Sequence, residues 1–207
     1  MMRTFLASAA ALSFASAVSA STVLFHDDFS QEDPGSVFQN TTTLDNWTVV
    51  QGNVDLIGST SKFACEGGTA CLDLDGFTTP TPAIIETIDA FHLQGGETYT
   101  LLFAFAGGTN NDTVTVALGS IFQMVLPAGG YTIPFAAAFS VTPQADELAQ
   151  ISFAVSTPPD SQGPYLGEVT LIGPAPIPLP AGAWFLIGGF GMLAFAAGRP
   201  NTVRLRA

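Results

Sequence analysis

Basic side chains are scarce in this 207-residue chain: five Lys and Arg stand against seventeen Asp and Glu. Four of the five lie near the ends, at Arg3, Arg199, Arg204 and Arg206, which leaves Lys62 as the one cation between them. All the acids fall between Asp27 and Glu168. A surface of that sign repels phosphate backbones, so nucleic acid is not an expected partner. Cysteine is limited to Cys65 and Cys71, too few ligands for a structural zinc site, and the C-x-x-C redox spacing is missing. The region between the termini has no Gly-x-Ser-x-Gly elbow, no His-x-x-x-His pair and no phosphate loop. It also has no long amphipathic helical period, which excludes a helix bundle.

What is present begins with two apolar ends. Met1-Met2-Arg3 is a short basic start, Thr4 to Ala17 is apolar, and Val18-Ser19-Ala20 places small residues where a signal peptidase reads them. The expected cleavage lies between Ala20 and Ser21. The expected mature chain is therefore an exported one. At the other end, Ala181 to Gly198 is an uncharged run of eighteen residues. As a helix it would be about 27 Å long, close to a ~30 Å hydrocarbon core. Arginines follow the run and fit a cytoplasmic C-terminus. Pro178 and Pro180 cannot sit inside a helix, so a transmembrane helix is expected over 181–198, preceded by a Pro-rich linker over 174–180.

The segment Ile177-Pro178-Leu179-Pro180-Ala181-Gly182-Ala183-Trp184, with Gly188-Gly189-Phe190-Gly191 and the terminal arginines, resembles the VPLPA-CTERM sorting signal, a variant of the bacterial PEP-CTERM class. Ile177 stands where that family usually has Val, and the basic cluster is diluted across Arg199 to Arg206. The resemblance covers residues 177–207. It implies an exosortase as partner, cleavage near Pro178, Leu179, Pro180 and Ala181, and passage from an inner-membrane-anchored intermediate to the cell surface or beyond.

Between these ends lies an ectodomain over 21–173, roughly 150 residues, long enough for one domain with its own core. Short segments rich in Thr, Val and Phe alternate apolar and polar residues and are broken by Gly, Pro, Asn and Asp, which predicts an all-β, two-sheet sandwich. The clearest strand is Tyr99 to Phe105, with Tyr99, Leu101, Phe103 and Phe105 on one face. A hairpin is predicted for 112–118 and 121–126 around Gly119-Ser120, and another for Trp47–Val50 and Asn53–Ile57 across Gln51-Gly52. Pro134 marks the strand over 131–141 as an edge or a bulge. A helical turn is predicted at 147–150. Cys65 and Cys71 close a short Gly-containing loop and, in an exported chain, predict a disulfide.

Asn46-Trp47-Thr48-Val49, Gly52-Asn53-Val54-Asp55-Leu56-Ile57, Cys71-Leu72-Asp73-Leu74-Asp75-Gly76, Gly96-Glu97-Thr98-Tyr99-Thr100-Leu101 and Gly163-Pro164-Tyr165-Leu166 with Val169-Thr170-Leu171 resemble the galactose-binding-like jelly-roll domains found in PEP-CTERM proteins. Those domains are similar to carbohydrate-binding modules. The resemblance implies a jelly roll that binds glycan. The last strand departs from the usual Leu-Asp-Asn-Val, reading Leu166-Gly167-Glu168-Val169, so one family carboxylate is missing.

Three groups of residues are candidates for chemistry. Asp27, Asp28, Glu32 and Asp33 form an oxygen-rich cluster, with Glu168 as a further donor, of the kind a structural calcium ion uses. Asp73 and Asp75 are two apart in a strand-like segment, so their carboxylates share a face at ~6–7 Å, a spacing related to that of glycosidase pairs. Alternating Asp on a solvent-facing strand is the plainer expectation. Trp47, Tyr99, Tyr131 and Tyr165 could form an aromatic platform for sugars or pack in the core. The reading that combines these features is a non-catalytic exported protein binding extracellular or envelope polysaccharide. A matrix component acting by self-association is the alternative, followed by a carboxylate-dependent hydrolase.

Overall fold

The computed structural model describes residues 21–32, 35, 40–58, 65, 70–76, 81–106, 112–128, 135–156 and 163–175. The expected signal peptide over 1–20, Asp33, Lys62, Tyr131, Pro134 and the expected sorting signal with its membrane helix lie outside the described residues. Among those described, no helix is long and apolar enough to cross a membrane.

In chain order the strands are β1 (Ser21–Asp27), β2 (Asn40–Thr41), β3 (Trp47–Gln51), β4 (Val54–Ile57), β5 (Cys71–Asp73), β6 (Ile84–Thr87), β7 (Phe91–Leu93), β8 (Tyr99–Ala106), β9 (Asp112–Leu118), β10 (Phe122–Ala128), β11 (Phe135–Val141), β12 (Glu147–Ala149), β13 (Ile151–Val155) and β14 (Tyr165–Pro174). A single 3₁₀ turn, Ser30–Glu32, is the one helical element described. The larger sheet runs β11-β8-β14-β5-β4-β2, with β1 added along the later half of β14. The smaller runs β10-β9-β13-β6-β3, and β7 pairs with β12 apart from both. All the pairings are antiparallel.

The period-2 pattern of β8 places Tyr99, Leu101, Phe103 and Phe105 inward, all buried. Val114, Val116 and Leu118 of β9, and Ile151, Phe153 and Val155 of β13, supply the opposing layer. Phe153 is where the two sheets meet: its ring lies 5.5 Å from Phe103 and 5.7 Å from Phe105, both edge-on. Trp47 of β3 packs against Phe25 of β1 at 5.6 Å, which closes the same core at its other end. Two sheets sharing one buried layer make an all-β sandwich.

The hairpin of β9 and β10 forms as the sequence predicts, with Phe122 opposite Leu118. Its loop is Gly119-Ser120-Ile121, one residue longer than expected, and Gly119 has φ +52°. The strand β11 is an edge strand, as Pro134 predicted. The Cys65–Cys71 disulfide is formed.

Two expectations are corrected. β3 and β4 are not a hairpin: β3 pairs with β6 in the smaller sheet, and β4 pairs with β2 and β5 in the larger. Gly52, at φ +67°, is pressed against the main chain of Thr81, Pro82 and Ala83 and carries the chain from one sheet to the other. A two-residue link reads the same in sequence whether it folds back within a sheet or crosses between sheets. Residues 147–149 form β12 rather than a helical turn, because Glu147 and Leu148 are drawn opposite Leu93 and His92 by main-chain pairing.

Candidate functional site

Two bulges prepare the outer face of the larger sheet. On β14, Leu166 lies opposite Phe105 and Val169 opposite Phe103, so β14 spends three steps where β8 spends two. The extra residue restores the alternation: Leu166, Val169 and Leu171 are all buried, while Glu168, Thr170 and Ile172 point outward. On β1, Val23 lies opposite Ile172 and Phe25 opposite Leu171, with Leu24 as the extra residue. Phe25 turns in toward Trp47, and His26 falls beside Thr170 on the outside. Re-aiming side chains is what a bulge does to a strand.

The face so built holds a groove of about 370 Å³. Ala136 and Ala138 of the edge strand and Ala104 of β8 leave its depth open, and Leu102 and Ile172 form an aliphatic floor. Glu168 and Thr170 supply its polar wall. Thr170 donates its hydroxyl to Glu168 Oε1 at 3.2 Å, and His26 Nδ1 meets the same hydroxyl at 3.0 Å. His26 Nδ1 is also 3.5 Å from Glu168 Oε1, with side chains 49% and 42% exposed. Beyond the groove the face continues as hydroxyl pairs, Thr100 with Ser140 at 2.9 Å and Thr98 with Thr142 at 3.0 Å. A volume of this size with an apolar floor and a few convergent polar groups is the usual form of a small-ligand site.

The sequence picked out Glu168 only as a further calcium donor and gave His26 and Thr170 no ligand role. The usable signal was the alternation Glu168-Val169-Thr170-Leu171 beside the small run Ala136-Ala137-Ala138. What it lacked was the bulge that seats His26.

Of the two roles open to the aromatics, core packing is the one found for those described. Trp47, Tyr99 and Tyr165 are buried, and Tyr131 lies outside the described residues. Trp47 sits among Phe25, Phe29 and Phe153 and donates its indole N–H to Asp27 Oδ2 at 2.9 Å. The Tyr99 hydroxyl accepts from Gln94 N at 2.7 Å, and Tyr165 packs with Ile57 and the disulfide.

The oxygen-rich cluster serves the main chain. Asp27 Oδ1 accepts from Phe29 N at 2.8 Å, which steadies Phe29 at φ +56° with its ring fully buried. Asp28 Oδ1 accepts from Ser30 N at 3.0 Å, and its bonds to Ser30 hold its carboxyl below the usual range. Glu32 Oε1 accepts from Asp45 N, and burial pushes the Glu32 carboxyl up. Among the described residues, no three His, Cys, Asp or Glu side chains are placed to share a metal ion.

Asp73 and Asp75 are not on a solvent face. Both are about 2% exposed, as is Asp55, which stands opposite Asp73 on β4. β5 ends at Asp73, and Asp73 Oδ1 accepts from Asp75 N at 3.0 Å and Gly163 N at 2.9 Å. Gly163 and Pro164 seal the turn from outside, and a Cβ on Gly163 would lie 2.7 Å from Asp73 Oδ1. Burial, with Asp55 and Asp75 nearby, pushes the Asp73 carboxyl up to about 8 against the pull of those two N–H donors. A polymer cannot reach these carboxylates, so they are poorly placed for glycoside hydrolysis.

No family model matches the chain. No curated protein matches it either. Solved structures do resemble it. TmCBM61, a carbohydrate-binding module in complex with β-1,4-galactotriose, has 13% identity and a TM-score of 0.46 over 60% of this chain and 86% of its own. The arabinose-bound α-L-arabinofuranosidase MgGH51 has 12% identity and a TM-score of 0.47 over 65% of this chain and 24% of its own. The C-terminal CBM6 of LamC, a marine laminarinase from Zobellia galactanivorans, has 10% identity and a TM-score of 0.37 over 72% of this chain and 92% of its own.

Proposed function

We propose that this chain is a non-catalytic, exported bacterial surface protein whose jelly-roll ectodomain binds extracellular or envelope polysaccharide. The observation that carries the reading is the groove of about 370 Å³ on the outer face of β11, β8 and β14. Its aliphatic floor suits the C–H face of a sugar ring, and Glu168 and Thr170 suit the hydroxyls at the ring's edge. Export rests on the signal segment ending at Ala20, and sorting on Pro178-Leu179-Pro180-Ala181, with an exosortase as the processing partner. The membrane helix over 181–198 would hold the precursor before processing. Calcium is part of the test because Asp27, Asp28, Glu32 and Asp33 bring the oxygen donors that a calcium ion uses.

The test is a glycan array probed with the detergent-solubilised full chain, with and without calcium, beside a variant carrying Ala138→Trp. Binding to at least one polysaccharide, abolished by the indole that fills the groove, is expected. Absence of binding to every polysaccharide under both conditions overturns the reading. Intact mass of the protein from its host checks both cleavages: a start at Ser21 and an end near Ala181 are expected.

A further inference from the structure

The groove's hydrogen-bonding sense and the sign of the surrounding charge point to a ligand class. The Thr170 hydroxyl lies 3.2 Å from Glu168 Oε1. The half-exposed carboxylate of Glu168 offers only acceptors. The polar wall is thus built to receive donors.

The charge around it agrees. No Lys or Arg occurs among the described residues. Glu168 itself sets a carboxylate on the groove wall. A uronate, sulfate or phosphate group brings oxygens that only accept and adds charge of the same sign within a Debye length of about 8–10 Å. A sugar hydroxyl brings a donor and no charge. The floor of Leu102, Ala138 and Ile172 rewards an unsubstituted ring face.

We propose that the groove selects neutral, hydroxyl-bearing polysaccharides and rejects anionic ones, with Glu168 as the specificity-determining acceptor. This rests on the polysaccharide-binding reading of the same groove and goes beyond it by naming the class.

Affinity electrophoresis of the detergent-solubilised full chain tests the inference. The gels would contain neutral polymers (a galactan, a mixed-linkage glucan, a xylan) or anionic ones (polygalacturonate, alginate), without calcium. Neutral retention should change by less than about twofold between about 20 and about 500 mM salt, because no counterion is released on binding. Glu168→Gln should weaken it about tenfold, since the amide replaces half of the carboxylate's acceptor capacity with a donor. Its melting temperature should match the parent's, which separates lost recognition from lost folding. Anionic polymers should leave mobility unchanged.

Equal or stronger retention by anionic polymers overturns the inference while leaving the polysaccharide reading standing, provided Ala138→Trp abolishes it. Undiminished neutral retention in Glu168→Gln also overturns the inference alone. No retention by any polymer overturns both.

Discussion

Asp55 and Asp73 stand directly opposite one another on the neighbouring antiparallel strands β4 and β5, each about 2% exposed. Two carboxylates in that position resist ionising together, because each charge loses its water and faces its like. Asp73 is pushed up to about 8, whereas the unfolded chain releases the same proton near 3.8. Between those values the unfolded state binds fewer protons than the folded one. Stability from this group is therefore full below the unfolded value and is lost as pH rises toward 8.

The slope expected from Asp73 is at most about 1.4 kcal/mol per pH unit. Urea titrations across that range should show it, and Asp73→Asn should flatten the profile. The amide oxygen still accepts from Asp75 and Gly163 but carries no proton equilibrium. An unchanged slope in the variant would place the proton elsewhere.

Gly163 tests the lid of the same cluster. A methyl there would meet Asp75 N at 2.6 Å and Asp73 Oδ1 at 2.7 Å, with main chain on one side and a pinned carboxylate on the other. Gly163→Ala should cost about 1–3 kcal/mol, read as a lower urea midpoint with an unchanged m-value. A neutral result would mean that the segment before β14 shifts freely.

Asp27 joins the start of the domain to its aromatic core through the Trp47 indole and the Phe29 N–H. Asp27→Ala strands both donors in a partly buried setting and should cost about 2–4 kcal/mol. Near-ultraviolet circular dichroism of Trp47 should weaken well before global unfolding. Asp27→Asn keeps one acceptor and should lose less.

The Cys65–Cys71 bridge closes a loop with a sequence separation of 6. Loop-closure entropy for so short a loop gives about 2 kcal/mol. A Cys65→Ser, Cys71→Ser double variant should melt lower by that amount while keeping the groove's ligand affinity, since the bridge packs with Ile57 and Tyr165 rather than with Leu102 or Thr170.

Much of the scaffold was legible because β-strands write burial with a period of two. Tyr99 to Phe105, the hairpin of β9 and β10, and the edge position of β11 all follow from that period and from Gly and Pro. The errors have a common cause. Gly52 reads as a hairpin turn, and Asp73 and Asp75 read as a wet face. In each, local pattern gives the chain's direction but not what a distant segment lays against it. Gly163 is 90 residues from Asp73 and decides whether that carboxylate meets water.

The sequence by itself determined the all-β class, the acidic character of the middle region and the pairing of its two cysteines. These depend on composition, periodicity and short motifs, which are local. The groove was decided by tertiary structure alone. Two bulges, in β1 and β14, shift register by one residue each, and a shift of one residue exchanges the faces of a strand. That exchange puts Phe25 in the core and places His26 beside Thr170 and Glu168, residues that lie 144 and 142 positions away in the chain.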